Sequence, residues 1–165
     1  MKIKSLQDLY GEQLKDLYSA EQQVSKELPK MLKKASSNDL KNMLQQHLNN
    51  SKNQAERLES ILEEVNMKPS RSKCVGMEGI IEESNEVLSE LEDSEAMDAG
   101  IIALLQRIEH YEIAAYGTAR TYAHMLGHHD AAKILQEILH EKKEEDKHLT
   151  SLAESGINEA AAKAA

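Results

Sequence analysis

Residues 7–35 read QDLYGEQLKDLYSAEQQVSKELPKMLKKA, and residues 98–126 read DAGIIALLQRIEHYEIAAYGTARTYAHML. The two stretches lie 91 residues apart, and both carry apolar side chains at heptad spacing, which predicts two equivalent amphipathic helices. One seam of the first stretch consists of Leu14, Glu21, Leu28 and Ala35, and the equivalent seam of the second consists of Leu105, Glu112, Ala119 and Leu126. Each seam is therefore apolar except for one carboxylate.

Helical spacing continues along most of the chain, and no alternating run predicts a strand. We expect helices over about residues 5–35, 37–66, 73–92, 94–126 and 130–154. Short turns join the first helix to the second and the fourth to the fifth, so each pair forms an antiparallel hairpin. A long crossover that contains the short third helix separates the hairpins. This predicts an all-α, ferritin-like four-helix bundle with an additional short helix in the crossover.

One domain is expected over residues 1–157, followed by a tail of residues 158–165. The tail is rich in alanine and has no apolar face to bury, so we expect it to fray. Pro29 falls inside the first helix, where it removes a backbone hydrogen bond and is expected to bend the helix.

Composition excludes several classes of function. The formal net charge of −9 argues against binding to nucleic acid or to an anionic membrane surface, both of which need a basic face. No apolar run is long enough to span a membrane, and the N-terminus has no signal-peptide pattern. Cys74 is the only cysteine, which rules out an intramolecular disulfide. These features predict a cytoplasmic protein.

The carboxylates on the two seams are the first functional signal. A buried carboxylate without a partner costs several kcal/mol, so Glu21 and Glu112 need a proton, a cation or a metal ion. The other two long helices also become polar midway along their apolar stripes, at His47, Ser51, Gln54, Glu141, Glu145 and His148. An offset of 94 residues aligns these two helices and matches His47 to Glu141. A polar layer is therefore predicted across the middle of the bundle.

Such a layer is typical of carboxylate-bridged di-metal sites, in which two helices each give one Glu and the other two give ligand pairs at i, i+3. Oxygen ligands with a little imidazole favour iron or manganese. Glu21 and Glu112 are the candidate bridging ligands, and Glu141 and His47 are the next candidates. The competing interpretation for His47 is a hydrogen-bonded core histidine.

Four blocks, over residues 16–21, 73–83, 109–117 and 146–153, closely resemble the YciF-like bacterial stress-protein family. The resemblance covers nearly the whole chain. It implies a ferritin-like, rubrerythrin-related bundle that is dimeric, cytoplasmic and stress-induced. It implies no particular reaction, because the family's biochemical role is largely uncharacterised.

One departure from the family matters. Members typically carry His-x-x-Glu-Thr in the second helix, whereas this chain has Asn50 in place of the glutamate. An amide is a weaker ligand than a carboxylate, so the number of metal ions that the site binds, one or two, is left open. The family pattern favours Glu144 as a further ligand, while Glu145 and His148 form a rival pair that faces the apolar stripe better. Glu109 and His110 are expected on or near the surface.

Two functions follow from these features. The first is a stress-associated ferritin-like protein with an iron or manganese site of one or two ions, which handles iron, peroxide or dioxygen. The alternative is a structural or interaction bundle with a degraded or metal-free site. A homodimer is expected from the resemblance, and neither interpretation assigns a catalytic residue.

Overall fold

The computed structural model describes residues 2–69, 73–91 and 94–164. These residues are helical and contain no strand, so the predicted all-α class is confirmed. The helices are α1 (Leu6–Lys34), α2 (Asn38–Glu64), α3 (Val75–Leu91), α4 (Met97–Met125), α5 (His129–Leu152) and α6 (Asn158–Lys163), with a π-helical turn over Ala153–Ile157.

The helices begin where capping side chains occur in the sequence. Ser5 Oγ accepts a hydrogen bond from the backbone N–H of Asp8 at 3.1 Å and caps α1. Ser37 Oγ accepts from the N–H of Leu40 at 3.3 Å and caps α2. At the other end of the fold, Gly127 has a φ of 82° and turns the chain from α4 into α5.

α1 packs against both α2 and α4, and α5 packs against both α4 and α2. The helices α1 and α4 run in opposite directions. At one end, the Asp98 carboxylate of α4 accepts hydrogen bonds from the backbone N–H groups of Ser36 and Ser37, just after α1. At the other end, the Tyr10 ring near the start of α1 stacks on His128, just after α4, with ring centroids 5.6 Å apart.

The helices α2 and α5 are also antiparallel. Asn50 Nδ2 donates to Glu145 Oε1 at 2.6 Å, whereas Gln54, one turn later in α2, donates to Glu141, one turn earlier in α5. Each of the four long helices is therefore antiparallel to the neighbours it packs against.

The crossover helix α3 lies outside these four helices, against α4 and α1. Its start is held at the middle of α1, because the Cys74 N–H donates to Ser19 Oγ at 2.8 Å and the Cys74 carbonyl accepts from Gln23 Nε2 at 3.0 Å. Its end packs on α4 at Gly100, where a Cβ atom would lie only 2.7 Å from the Leu91 side chain. The predicted end of this helix near Glu92 lies outside the described residues.

The C-terminal segment departs from α5 at Gly156, whose φ is 140°. No residue of α6 is buried, and the expected fraying of residues 158–165 stays a prediction. None of the helices in the described ranges is long and apolar enough to cross a membrane.

Two apolar clusters form the core, one at each end of the packed helices. One contains Val24, Leu28 and Leu105, and the other contains Leu14, Leu58 and Ile138. Between them lies a set of fully buried polar side chains from all four long helices. The predicted polar layer is present, and it separates the two apolar clusters.

Removing the carboxylate that joins α4 to the α1–α2 turn should destabilise the fold. Asp98 is 9% exposed and satisfies two backbone N–H groups at 2.8 Å each. We expect Asp98→Ala to lower the free energy of unfolding by ~2 kcal/mol, measured by urea denaturation. Asp130→Ala, also in a first helical turn but exposed, is the matched control and should cost well under half as much. Equal losses of unfolding free energy in the two variants would contradict a stabilising role of the Asp98 hydrogen bonds.

Candidate metal centre

The polar layer consists of side chains that are at most 1% exposed, together with the nearly buried Glu145. Its members are Glu21 of α1, His47, Ser51 and Gln54 of α2, Glu109 and Glu112 of α4, and Lys142 and Glu145 of α5. The ionisable members form two groups, which we call the ammonium triad (Glu21, Lys142 and Glu112) and the histidine cluster (His47, Glu109 and Glu145).

The Lys142 ammonium stands at the centre of the ammonium triad. Its Nζ atom lies 2.6 Å from Glu112 Oε2 and 3.2 Å from Glu21 Oε1, and all three side chains are 0% exposed. Burial opposes the charge of this ammonium, but attraction to Glu112, Glu21 and the carboxylates of the histidine cluster raises its pKa well above the usual value. Lys142 is the only buried lysine or arginine in the described ranges.

Glu21 also receives two neutral hydrogen bonds. The Tyr116 hydroxyl donates to Glu21 Oε1 at 2.7 Å, and Ser51 Oγ donates to Glu21 Oε2 at 2.5 Å. Burial and the nearby negative charges of Glu21 and Glu112 raise the Tyr116 pKa well above its usual value, so this hydroxyl keeps its proton. Both oxygens of Glu21 are thus satisfied by α2, α4 and α5.

Glu112 is less well satisfied. Apart from the ion pair with Lys142, neither of its oxygens has a hydrogen-bond partner among the described residues. Burial and repulsion from Glu21 raise the Glu112 pKa to about 8, although the attraction of Lys142 works in the opposite direction. Glu112 therefore holds a proton more readily than an exposed glutamate does.

The histidine cluster brings together one imidazole and two carboxylates from three helices. His47 Nε2 lies 3.0 Å from Glu109 Oε1 and 3.8 Å from Glu145 Oε2. Burial lowers the His47 pKa, but the attraction of Glu109 and Glu145 outweighs it and raises the pKa to about 9. For Glu109, burial is outweighed by His47 and Lys142, and its pKa is lowered. Burial raises the pKa of Glu145.

A cleft of about 280 Å³ between α2 and α5 leads from the surface to this cluster, with His47, Asn50, Glu141, Glu144, Glu145 and His148 among its lining residues. Asn50 donates its amide proton to Glu145 Oε1 and so fixes that carboxylate from the α2 side. The histidine cluster is therefore the part of the polar layer that this cleft reaches.

The five sequence-predicted ligands do not meet at one point. Glu21 and Glu112 share Lys142, and His47 lies in the histidine cluster. Glu141 pairs with Arg57 at 2.6 Å, and its side chain is 36% exposed. Glu144 pairs with Lys147 at 2.6 Å, and its side chain is 51% exposed. Their roles as metal ligands stay predictions, and neither Glu141 nor Glu144 belongs to a cluster of three or more His, Cys, Asp or Glu side chains among the described residues.

Three details of the sequence interpretation were wrong. Glu109 was expected near the surface and is 0% exposed, because it lies one helical turn before Glu112 on the inward face of α4 and contacts His47 at 3.0 Å. His148 was expected to point inward with Glu145, yet it is exposed. The offset of 94 residues between α2 and α5 was also wrong. The pattern of buried residues fits an offset of 95. This offset makes Leu40 equivalent to Leu135, Leu44 to Leu139 and His47 to Lys142.

Sequence reasoning missed Lys142 because a lysine is nearly always found at the surface. A signal was present, since Leu135, Lys142 and Leu149 are spaced by seven residues and form an apolar seam with one charge at its centre. This is the same pattern that identified Glu21 between Leu14 and Leu28.

A carboxylate-bridged metal pair does not fit the ammonium triad as it stands. Bridging carboxylates hold two ions ~3.5–4 Å apart. Here the space between Glu21 and Glu112 holds the Lys142 Nζ atom, within 3.2 Å of both. A single ion does fit the histidine cluster, because one ligand atom from each of His47, Glu109 and Glu145 lies within 4.8 Å of the others.

The four packed helices and the charged layer across their core define an all-helical protein with an ionisable centre. The chain belongs to the family described as Domain of unknown function (DUF892), whose model matches residues 5–162. The resemblance stated from the sequence is thereby confirmed.

The relatives agree with this assignment. The chain is 44% identical over 162 residues to Protein YciF of Escherichia coli (strain K12), covering 98% of each chain. The crystal structure of the E. coli stress protein YciF matches with a TM-score of 0.89 over 94% of this chain and 99% of that one, at 44% identity. YcfI of Rhodopseudomonas palustris, for which a structural role has been suggested, matches with a TM-score of 0.86 at 40% identity, over 90% of this chain and 95% of that one.

The raised pKa values predict that the protein loses stability as the pH rises. His47 and Glu112 hold protons more tightly in the folded chain than in the unfolded chain, since their pKa values rise from 6.5 and 4.5 to about 9 and about 8. Their contribution is therefore lost between about pH 5 and pH 9. We expect the free energy of unfolding to fall by on the order of 2 kcal/mol between pH 6 and pH 9.

Urea denaturation at a series of pH values measures this loss. A His47→Gln/Glu112→Gln double variant should show a much flatter dependence over the same range. A wild-type stability that is constant or rises between pH 6 and pH 9 would contradict the assigned protonation.

Proposed function

We propose that this protein is a ferritin-like four-helix bundle that binds one divalent iron or manganese ion at His47, Glu109 and Glu145. The convergence of these three side chains within 4.8 Å carries the proposal. One imidazole nitrogen and two carboxylates form a ligand set suited to Fe²⁺ or Mn²⁺. A single ion, rather than a pair, agrees with the occupied position between Glu21 and Glu112.

The cleft that leads from the surface also supports the histidine cluster as the metal position. The cleft between α2 and α5 is lined by His47 and Glu145, so two of the three proposed ligands lie at its inner end. Acidic side chains lie along its walls, at Glu141 and Glu144. A cation approaching the cleft therefore meets negative charge before it reaches the cluster.

The residues of this chain have separable tasks at such a centre. Asn50 orients Glu145 through a hydrogen bond of 2.6 Å. Glu109 stabilises the protonated form of His47, so an ion that binds at His47 displaces the proton that His47 otherwise holds. A bound Fe²⁺ would supply a redox-active centre for peroxide or dioxygen, in line with a role during stress.

The ferritin-like assignment rests on the antiparallel packing of the four long helices and on the crossover that returns along their length. The stress association rests on the similarity to the E. coli stress protein YciF. A cytoplasmic homodimer belongs to the same proposal and rests on the family resemblance.

A metal-free structural bundle is the second candidate. It is favoured by the amide at Asn50, which places a hydrogen-bond donor on Glu145 where a further ligand would be needed. The structural role suggested for the relative YcfI points the same way. In this case, the polar layer acts only through its internal ion pairs.

Metal content separates the two candidates. After incubation with excess Mn²⁺ and desalting, we expect about one ion per chain in the wild type, measured by inductively coupled plasma mass spectrometry. Replacing a ligand by His47→Ala, Glu109→Gln or Glu145→Gln should weaken binding at least tenfold. The controls His140→Ala and Glu137→Gln change exposed residues of α5 outside the cleft and should bind as the wild type does. Negligible metal in the wild type would overturn the proposal.

Adding a carboxylate at the position of Asn50 should strengthen the site. We expect Asn50→Glu to bind Mn²⁺ about tenfold more tightly than the wild type by isothermal titration calorimetry, because an anionic oxygen replaces a neutral amide. Asn49→Glu, one residue away and exposed, adds the same charge outside the cleft and is the matched control. Binding by Asn50→Glu alone, with none in the wild type, would favour the structural candidate.

A further inference from the structure

We infer that the Lys142 ammonium is a built-in cation that takes the place of a metal ion between Glu21 and Glu112. Its Nζ atom lies within 3.2 Å of both carboxylates, and all three groups are 0% exposed. A cation at this point holds α1, α4 and α5 together by the contacts that a shared metal ion would otherwise make.

The internal repeat supports this reading of Lys142. The 95-residue offset that matches the buried faces of α2 and α5 makes Lys142 the equivalent of His47. Each half of the chain therefore puts one basic side chain into the layer. The imidazole of His47 can bind a metal ion when it is neutral, whereas a protonated ammonium has no lone pair to offer.

Charge balance explains why the position needs a cation. Two carboxylates at this depth without a partner would repel each other and would each lose their hydration. The hydrogen bonds from Tyr116 and Ser51 satisfy Glu21 alone, and among the described residues Glu112 has only Lys142 as a partner. The ammonium compensates both, and it does so whether or not metal is available.

A fixed ammonium also excludes a metal ion from the position between Glu21 and Glu112. A second ion bridged by Glu21 and Glu112 would have to displace Lys142 or lie against it, at a distance where two cations repel strongly. The inference concerns this position only, and it holds whether or not the histidine cluster binds an ion.

Removing the ammonium tests the inference. We expect Lys142→Gln to bind one Mn²⁺ per chain more than the wild type under identical conditions. Without metal, Lys142→Gln should melt at a lower temperature than the wild type, and Mn²⁺ should restore most of the loss. Lys143→Gln, the adjacent exposed lysine of α5, should change neither quantity. A Lys142→Gln variant with no additional ion and no recovery by Mn²⁺ would overturn the inference.

Two further variants make the result specific. In Glu21→Gln/Glu112→Gln/Lys142→Met, the ammonium and both carboxylates are absent, so no additional ion should bind. A gain equal to that of Lys142→Gln would show that the ion binds elsewhere and would count against the inference.

Glu21→Gln in the wild-type background leaves Lys142 in place, and this arm does not depend on the folding of Lys142→Gln. It should keep the wild-type metal content, because Glu21 binds the ammonium and not an ion. Loss of metal in Glu21→Gln would overturn the inference. The metal content of each variant is compared with that of the wild type. If the wild type binds no metal, the single-ion proposal is refuted, and the gain of one ion in Lys142→Gln still tests the role of Lys142.

Discussion

The ion pairs of Lys142 with Glu21 and Glu112, at 3.2 and 2.6 Å, join three helices at a depth where all three side chains are 0% exposed. A buried charge that loses its partner typically costs 3–5 kcal/mol, so α1, α4 and α5 must keep the register that brings these atoms together. The apolar clusters on either side pack tightly but specify register less sharply, because aliphatic side chains tolerate small shifts. The polar layer thus aligns the core that the apolar residues stabilise.

The same interaction determines which chemistry the layer can support. Four carboxylates, Glu21, Glu109, Glu112 and Glu145, face one permanent cation and one titratable imidazole. The layer therefore carries excess negative charge, which the raised pKa values of Glu112 and His47 relieve by retaining protons. In the proposal made above, an added cation takes over this task at the histidine cluster, because the position between Glu21 and Glu112 already holds the ammonium.

The fold and half of the site could be predicted from the sequence. Heptad spacing and turn positions gave the five longer helices and the hairpins, and the repeat located Glu21 and Glu112. The partner of these carboxylates was missed, although Lys142 occupies a seam position between Leu135 and Leu149, because a lysine is nearly always found at the surface. Glu109 was missed for a different reason: which of several neighbouring polar residues turns inward depends on the rotation of α4 against α2 and α5, which a single sequence does not specify.

The most direct test of these assignments is a crystal structure of the wild-type protein grown with excess Mn²⁺, with anomalous data collected to locate the ions. We expect one anomalous peak per chain, from an ion bound by His47, Glu109 and Glu145, with the Lys142 ammonium still between Glu21 and Glu112. A manganese peak bridged by Glu21 and Glu112, with Lys142 turned away from them, would contradict these assignments.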